Sequence, residues 1–289
     1  MLAHAPAGPA SLSKDTVSLR PAIASLLLPA LCALLPAHAA PPACAPLDPV
    51  PQTVFDAPLL VLGDVHGTRE VPAFVAGYLC AALRQGRALT LALELPFSTQ
   101  GALDAFMASP GSAEDLAQLT GAGWWRNTRQ DGRTSAAMLE LLRQVRFLRA
   151  GGADIRVAPV DAELPPELRE AAMAARLRAQ LQPGRQLVAL VGALHAVRSK
   201  GSRFNPQFES AVYLLGDLRP LSLTVGTAGG EAWICRGATP QSCGPARWDI
   251  NRVAPAPAAP FSLVPPSAQF DGVFYVGATS ASPPAVSAQ

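Results

Sequence analysis

The sequence predicts an α/β protein with a mainly parallel β-sheet, helices on both faces of that sheet, and a small disulfide-bearing β-hairpin near the C-terminal third. Three continuous apolar runs predict the sheet: LLVLG at residues 59–63, LTLAL at 89–93 and QLVALV at 186–191. Strands buried on both faces have such runs, because helices cover both sides of a parallel sheet. Helical patterns separate the runs, and they supply the crossover connections that parallel strands require.

The other elements follow from periodicity and from turn residues. Apolar residues recur at helical spacing from Val71 to Ala82, and Gly151 and Gly152 end a second long amphipathic pattern. Helices are predicted at 70–85, 100–107, 113–119, 135–150, 166–181 and 206–215, and further strands at 154–160, 220–225 and 270–276. The Pro/Ala segment 253–260 is predicted to be a linker or surface loop.

Composition limits the function classes. The chain has 289 residues, of which 49% are hydrophobic and 15% charged, and its formal net charge is +2. That length suits one large domain or two small ones with a buried core. The weak net charge gives no basic field for a polyanion, so nucleic acid is not an expected partner.

The N-terminus resembles a secretory signal. Lys14 and Arg20 precede the apolar run AIASLLLPALCALL at 22–35, and small residues follow at the A-x-A cleavage positions 37–39. We expect a signal peptide at 1–40, an N-terminal extension at 41–57, and a periplasmic or secreted protein without stable membrane insertion after cleavage. A lipid anchor is not expected, because the bulky Leu31 precedes Cys32.

Four cysteines remain after cleavage of the signal: Cys44, Cys80, Cys235 and Cys243. An even set in an oxidising compartment is typical of disulfides. Cys235 and Cys243 flank a turn-rich segment between predicted strands, so we expect them to pair. Cys44 with Cys80 is an open alternative to a buried Cys80 thiol. No C-x-x-C pair occurs, which argues against a structural zinc site.

Two histidines remain in the mature chain, and both follow strands. His66 and His195 each end an apolar run with glycine three residues earlier, so the pattern G-x-x-H occurs twice. Glu94 and Asp161 also stand at predicted strand ends. Because ligand and catalytic groups of α/β sheets gather beyond the carboxyl ends of the strands, we expect these side chains to face one pocket. The alternative is that each histidine is a hydrogen-bonded structural residue.

Three familiar catalytic classes do not fit. The stretch Gly-Asp-Val-His-Gly at 63–67 begins like a metallophosphoesterase, but the chain has only one later histidine and no Gly-Asn-His segment. No G-x-S-x-G elbow of a serine hydrolase occurs. The glycine-rich turn at 226–230 lacks the Lys-Ser/Thr that would follow in a phosphate-binding loop.

Four motifs resemble one known superfamily. LGDVHGTRE at 62–70 and LALELP at 91–96 resemble the opening of the erythromycin esterases. VGALH at 191–195 is similar to a segment of the Tiki/TraB proteases and the ChaN-type haem-binding proteins, and FDGVFYVG at 270–277 resembles the usual last strand. The resemblance covers residues 58–277, which implies an α/β hydrolase-like domain there and a flexible tail at 278–289. No motif covers residues 100–133.

The resemblance also implies roles for individual residues. His66 is the expected central catalytic or metal-contacting group, Glu94 its strand-end carboxylate partner, Glu70 the glutamate of the H-G-x-x-E element, and His195 the second histidine. Asp64 stands where the esterases usually have glutamate, and VGALH replaces their tryptophan-containing segment, so macrolide hydrolysis specifically is not implied.

A hydrolase mechanism follows from the chemistry of these groups. A histidine with an ordinary pKa of about 6.5 can take a proton from water near neutral pH, and a carboxylate such as Glu94 or Glu70 orients the ring. His195 and Arg198 are predicted to stabilise the oxyanion or protonate the leaving group of an ester or peptide.

A divalent Mn²⁺, Co²⁺ or Zn²⁺ ion is the alternative within the same site. The candidate ligands are His66, His195, Asp64, Glu94, Glu70 and Asp161.

Two further function classes stay open. An exported haem-binding or iron-uptake protein would use His66, His195 or a tyrosine as axial ligand, with Trp124 and Trp125 lining the groove. The candidate tyrosines are Tyr78, Tyr213 and Tyr275. A pseudoenzyme that keeps the fold without the chemistry is the third interpretation. Under the hydrolase hypothesis the expected partner is a small-molecule or peptide substrate.

Overall fold

The computed structural model describes residues 45–127, 130–202, 205–237, 239–249 and 251–286. All of these residues belong to one compact unit. The predicted signal peptide at 1–40 and Cys44 lie outside the described residues.

Within the described ranges, ten strands form two sheets. The strands are β1 (Leu59–Asp64), β2 (Ala88–Pro96), β3 (Ile155–Asp161), β4 (Arg185–Gly192), β5 (Leu221–Gly226), β6 (Gly229–Cys235), β7 (Cys243–Arg247), β8 (Phe261–Ser262), β9 (Gly272–Tyr275) and β10 (Ala278–Thr279). The main sheet has seven strands in the order β3-β2-β4-β1-β5-β9-β8. All its neighbouring pairs are parallel except β8 with β9. The predicted, mainly parallel sheet is therefore confirmed.

Helices cover both faces of this sheet. They are α1 (Gln52–Asp56), α2 (Glu70–Arg84), α3 (Gln100–Ala108), α4 (Ala113–Gly121), α5 (Ala136–Ala150), α6 (Pro166–Gln180) and α7 (Ala211–Leu214). Side chains of β1 alternate between two apolar cores: Leu60 and Leu62 join the core that includes α2 and α5, whereas Val61 joins the core of α6 and α7. This alternation explains why the first apolar run is continuous rather than amphipathic.

The structure differs from the sequence prediction at several element boundaries. The helix predicted at 206–215 is only the single turn of α7, which Ser210 begins by accepting a hydrogen bond from the backbone N–H of Tyr213. A 3₁₀ turn at Gly216–Leu218 follows it. Strand β2 continues through Pro96, so Glu94 lies within the strand instead of after it. Strand β8 was not predicted, because two residues carry too little periodicity to detect.

The second sheet contains the predicted hairpin. Its strand order is β10-β6-β7, and β6 pairs antiparallel with β7 from Glu231 opposite Arg247 to Cys235 opposite Cys243. Cys235 and Cys243 form the predicted disulfide. Cys80 is also disulfide-bonded. Cys44, its possible partner in one of the two alternatives left open by the sequence, lies outside the described part of the chain.

The end of the chain packs against the domain. Strand β10 pairs with β6, and the Ser282 hydroxyl accepts a hydrogen bond from the backbone N–H of Ala137. Among the described residues, no helix combines the length and the apolar character needed to span a bilayer.

Candidate active site

Four neighbouring strands bring polar groups to one edge of the main sheet. At their carboxyl ends, β1, β2, β3 and β4 provide Asp64, Glu94, Asp161 and Gly192. The strands are adjacent in the order β3-β2-β4-β1, so residues far apart in sequence lie side by side. The carboxyl ends of these four strands therefore meet at one edge, which is where α/β sheets gather functional groups.

His66 lies in the short loop between β1 and α2 and is held between two carboxylates. Its Nδ1 is 3.2 Å from Asp64 Oδ2, and its Nε2 is 3.2 Å from Glu94 Oε2. The His66 side chain keeps 21% of its exposure, while both carboxylates are buried. Gly67 permits this loop: its φ is +85°, and a Cβ there would lie 2.0 Å from the carbonyl oxygen of Trp233.

Both carboxylate oxygens of Glu94 are bonded. Its Oε2 also accepts a 2.6 Å hydrogen bond from the backbone N–H of Gly192, and its Oε1 accepts from Arg169 at 2.7 Å and from Arg133 at 3.3 Å. The same two arginines donate to Asp161 Oδ2, at 2.7 Å and 3.0 Å. Two guanidinium groups thus bridge two buried carboxylates and fix their positions.

His195 lies behind this cluster and is only 6% exposed. Its Nδ1 is 2.7 Å from Glu170 Oε1, and the other oxygen of Glu170 accepts from the backbone N–H of Ala211. Its Nε2 is 3.1 Å from Arg169 Nη1 and 3.5 Å from Glu94 Oε1. The second histidine therefore contacts the same arginine and the same carboxylate as the rest of the site.

Neighbouring charges set the protonation states. Burial disfavours the charged form of His66, but the Glu94 charge and the hydrogen bonds with Asp64 and Glu94 outweigh it and raise its pKa to about 10. Burial likewise opposes ionisation of Glu94, yet the charges that His195 and His66 carry when protonated hold the pKa of Glu94 well below its ordinary value. His66 is thus an imidazolium at neutral pH, and Glu94 is a carboxylate.

His195 experiences two opposing influences. Burial lowers its pKa, and the Glu94 charge with the Glu170 hydrogen bond overcomes this and raises it above the ordinary value. Arg169 opposes the rise, because its Nη1–H can donate to Nε2 only when that nitrogen carries no proton. The Arg169 contact therefore favours an acceptor Nε2, with the Nδ1 proton on the Glu170 side.

Two residues predicted for the site lie outside this hydrogen-bond network. Both oxygens of Glu70 accept from Ser280, at 2.9 Å from its backbone N–H and 2.6 Å from its hydroxyl. Arg198 forms an ion pair with Asp271, just before β9. Glu70 thus connects α2 to the C-terminal segment, and Arg198 belongs to another part of the molecule.

Sequence reasoning missed several groups of the network: Asp131, Arg133, Arg169 and Glu170. Arg133 lies in the connection before α5, where Asp131 accepts two of its hydrogen bonds at 3.0 Å and 2.8 Å. Arg169 and Glu170 lie early in α6 and appear in sequence as ordinary charged helix residues. The one sequence feature that could have indicated their place in the site is that they follow soon after the strand that ends in Asp161.

A divalent metal does not fit the residues present. Both ring nitrogens of His66 face carboxylates, and the oxygens of Glu94 and Asp161 that face the centre already accept from Arg133 and Arg169. Among the described residues, no group of three or more His, Cys, Asp or Glu side chains could hold a metal ion. Guanidinium groups occupy the places where a cation would balance the carboxylates.

Haem ligation stays a prediction from the sequence. Neither histidine offers an uncommitted ring nitrogen, and the fully buried Tyr78 hydroxyl donates to Gln186 at 2.7 Å. Tyr213 and Tyr275 are half-buried. Trp125 is in the core at 1% exposure, while Trp124 packs with its ring 4.8 Å from the guanidinium carbon of Arg133.

The comparisons with known proteins concern the fold. No family model and no curated protein matches the chain. A crystal structure of a Bacillus cereus protein has a TM-score of 0.58 at 11% identity and covers 81% of this chain and 91% of its own. A mutant of the erythromycin esterase EreC in its open conformation has a TM-score of 0.55 at 10% identity and covers 80% and 93%. ChaN of Campylobacter jejuni, solved with cofacially bound haem, has a TM-score of 0.40 at 12% identity and covers 61% and 83%. The resemblance to the erythromycin esterases that the motifs predicted is confirmed at the level of the fold.

The raised pKa of His66 predicts how stability depends on pH. A group whose pKa is higher in the folded protein stabilises it fully below its unfolded pKa of about 6.5 and loses that contribution as pH rises through the folded value, here about 10. The free energy of unfolding should fall by roughly 1.4 kcal/mol per pH unit between those values on account of His66. Urea unfolding from pH 7 to 10 should show this slope reduced in His66→Gln. Parallel pH dependences for the two proteins would contradict the assignment.

Proposed function

We propose that this protein is an exported, metal-independent hydrolase that cleaves an ester or peptide bond with His66 as the proton-transfer group. The observation that carries the proposal is the partly exposed His66 ring between two buried carboxylates at the carboxyl ends of parallel strands. Carboxylates so placed fix the ring orientation and increase its basicity. The similarity to an esterase supports the fold of such an enzyme and leaves the substrate open.

The two carboxylates next to His66 have different tasks in this proposal. Glu94 is fixed by Gly192 and Arg169, so it retains the Nε2–H of His66 when the ring is neutral. Once Nδ1 has lost its proton it can no longer donate to Asp64 Oδ2, so its lone pair is released to accept the proton of the attacking water. Asp64 Oδ1 is buried without a hydrogen-bond partner in the described structure, and it supplies an acceptor for the second hydrogen of that water.

The cationic groups stabilise negative charge that develops in the reaction. Arg169 keeps 25% and Arg133 keeps 15% of side-chain exposure, so both combine contact with the buried carboxylates and access from solvent. In this proposal Arg169 takes the oxyanion-stabilising role that the sequence assigned to Arg198, and His195 holds Arg169 in place.

Export is supported by the chain itself. The sequence carries a signal-like N-terminus. The Cys235–Cys243 disulfide is typical of oxidising compartments. Location in the periplasm or outside the cell therefore belongs to the same proposal.

The first test is the pH profile of hydrolysis of p-nitrophenyl and peptide substrates. Because neutral His66 is the acting form and its pKa is about 10, kcat/KM should rise from pH 7 towards pH 10. His66→Ala should lose activity by roughly two to four orders of magnitude while retaining its circular dichroism spectrum. Treatment with EDTA should leave kcat/KM of the wild type and of His66→Ala unchanged. Turnover that survives in His66→Ala contradicts the proposal, and a folded wild type with no turnover on either class favours the pseudoenzyme interpretation.

The second test compares two arginines after the same change. Arg169→Lys removes the bridge between Glu94 and Asp161 while it conserves charge, and kcat should fall roughly 100-fold. Arg198→Lys is the matched control and should leave kcat unchanged, because Arg198 contacts Asp271 outside the site. Equal loss in both variants, or loss only in the Arg198 variant, would contradict the assigned roles.

A further inference from the structure

A separate cavity of about 640 Å³ lies at the other end of the strands from His66. Ala57 precedes β1, Leu221 begins β5 and Asp271 precedes β9, and all three line it. They mark the amino ends of these parallel strands, whereas the candidate active site occupies carboxyl ends. The cavity volume lies within the range of small-molecule sites.

The charges around this cavity leave one cation without a partner. Asp56 is bonded to Arg87, and Asp271 accepts from Arg198 and, at 2.9 Å, from the backbone N–H of Ser222. The backbone N–H of Arg219 donates to the carbonyl of Gly216, but its guanidinium has no hydrogen bond or ion pair with any residue that the structure describes. Arg198 uses only Nη1 for Asp271, so its remaining N–H groups are also available.

Arg219 also has a backbone that does not favour arginine. It ends the 3₁₀ turn at Gly216–Leu218 in the left-handed region, with φ 48° and ψ 56°. Glycine adopts this conformation without the Cβ clash that other residues experience. No described hydrogen bond or ion pair of the guanidinium offsets this backbone strain.

We propose that this cavity binds a small organic monocarboxylate with a short apolar chain. The Arg219 guanidinium would bind the carboxylate with two parallel hydrogen bonds, and the unused edge of Arg198 would add a second cation. The apolar chain would contact Val212, Pro220 and Leu221, which line the same cavity. The proposal is independent of hydrolysis at His66, because the two places share no residue.

Octanoate is the probe that tests this proposal, with binding to the full-length protein measured by isothermal titration calorimetry. Wild type should bind octanoate, and octanol should bind at least tenfold more weakly because it lacks the charge. Arg219→Gly should weaken octanoate binding about 10- to 100-fold, the usual range for loss of a charge-assisted pair, without lowering Tm. Arg143→Gln on α5, which removes another solvent-exposed arginine, is the matched control and should bind like wild type.

Three outcomes would overturn the proposal. They are absence of octanoate binding to wild type, equal affinity of wild type and Arg219→Gly, and equal affinity for octanol and octanoate. His66→Ala separates this site from the active site, since it should bind octanoate unchanged even if it has no hydrolase activity. Loss of binding in His66→Ala would place the carboxylate at His66 and overturn the second site.

Discussion

The buried carboxylate of Glu94 is the group on which the candidate site depends. It accepts from Gly192 and Arg169, contacts His66, and lies 3.5 Å from His195. A buried charge is tolerated only when hydrogen bonds and opposite charges surround it, because desolvation otherwise outweighs its attraction to any single partner. Glu94 meets that condition through four separate segments, which carry His66, Arg133, Arg169 and the pair Gly192 and His195, so its place near the carboxyl end of β2 fixes the geometry of all of them.

Backbone contacts around His66 complete this constraint. A Cβ at Gly192 would lie 3.2 Å from His66 Nε2, and a Cβ at Gly132 would lie 2.3 Å from the backbone nitrogen of Gly67. The disulfide-bearing hairpin also holds this region, since Trp233 donates from its backbone to Gly67 and from its indole to Gln130. The second sheet therefore supports both the histidine loop and the segment that carries Arg133.

The sequence could predict those parts of the site that belong to strands. Continuous apolar runs locate β1, β2 and β4, and groups at the ends of parallel strands must meet, so His66, Glu94 and His195 were found without a structure. Asp64 contacts His66 at 3.2 Å despite being one methylene shorter than the glutamate of the esterases.

The arginines could not be predicted in the same way, because they come from a loop and a helix whose rotation depends on packing. Arg169 has the sequence appearance of a solvated helix residue. Arg198 stands close to His195 in sequence, but its side chain pairs with Asp271 and its backbone N–H donates to the carbonyl of Gln269. Sequence proximity was therefore a poor guide to which cation reaches the carboxylates. Tertiary packing decided it.

The most direct test of the dependence on Glu94 is an NMR titration of the His66 ring in wild type and in Glu94→Gln, with the exposed Glu163→Gln as control. We expect His66 to titrate near pH 10 in wild type and in the control. The pKa of His66 should decrease by roughly one to three units in Glu94→Gln, the usual effect of one adjacent opposite charge. A His66 that titrates near 6.5 in wild type, or that keeps its pKa in a folded Glu94→Gln protein, would contradict the central role of this carboxylate.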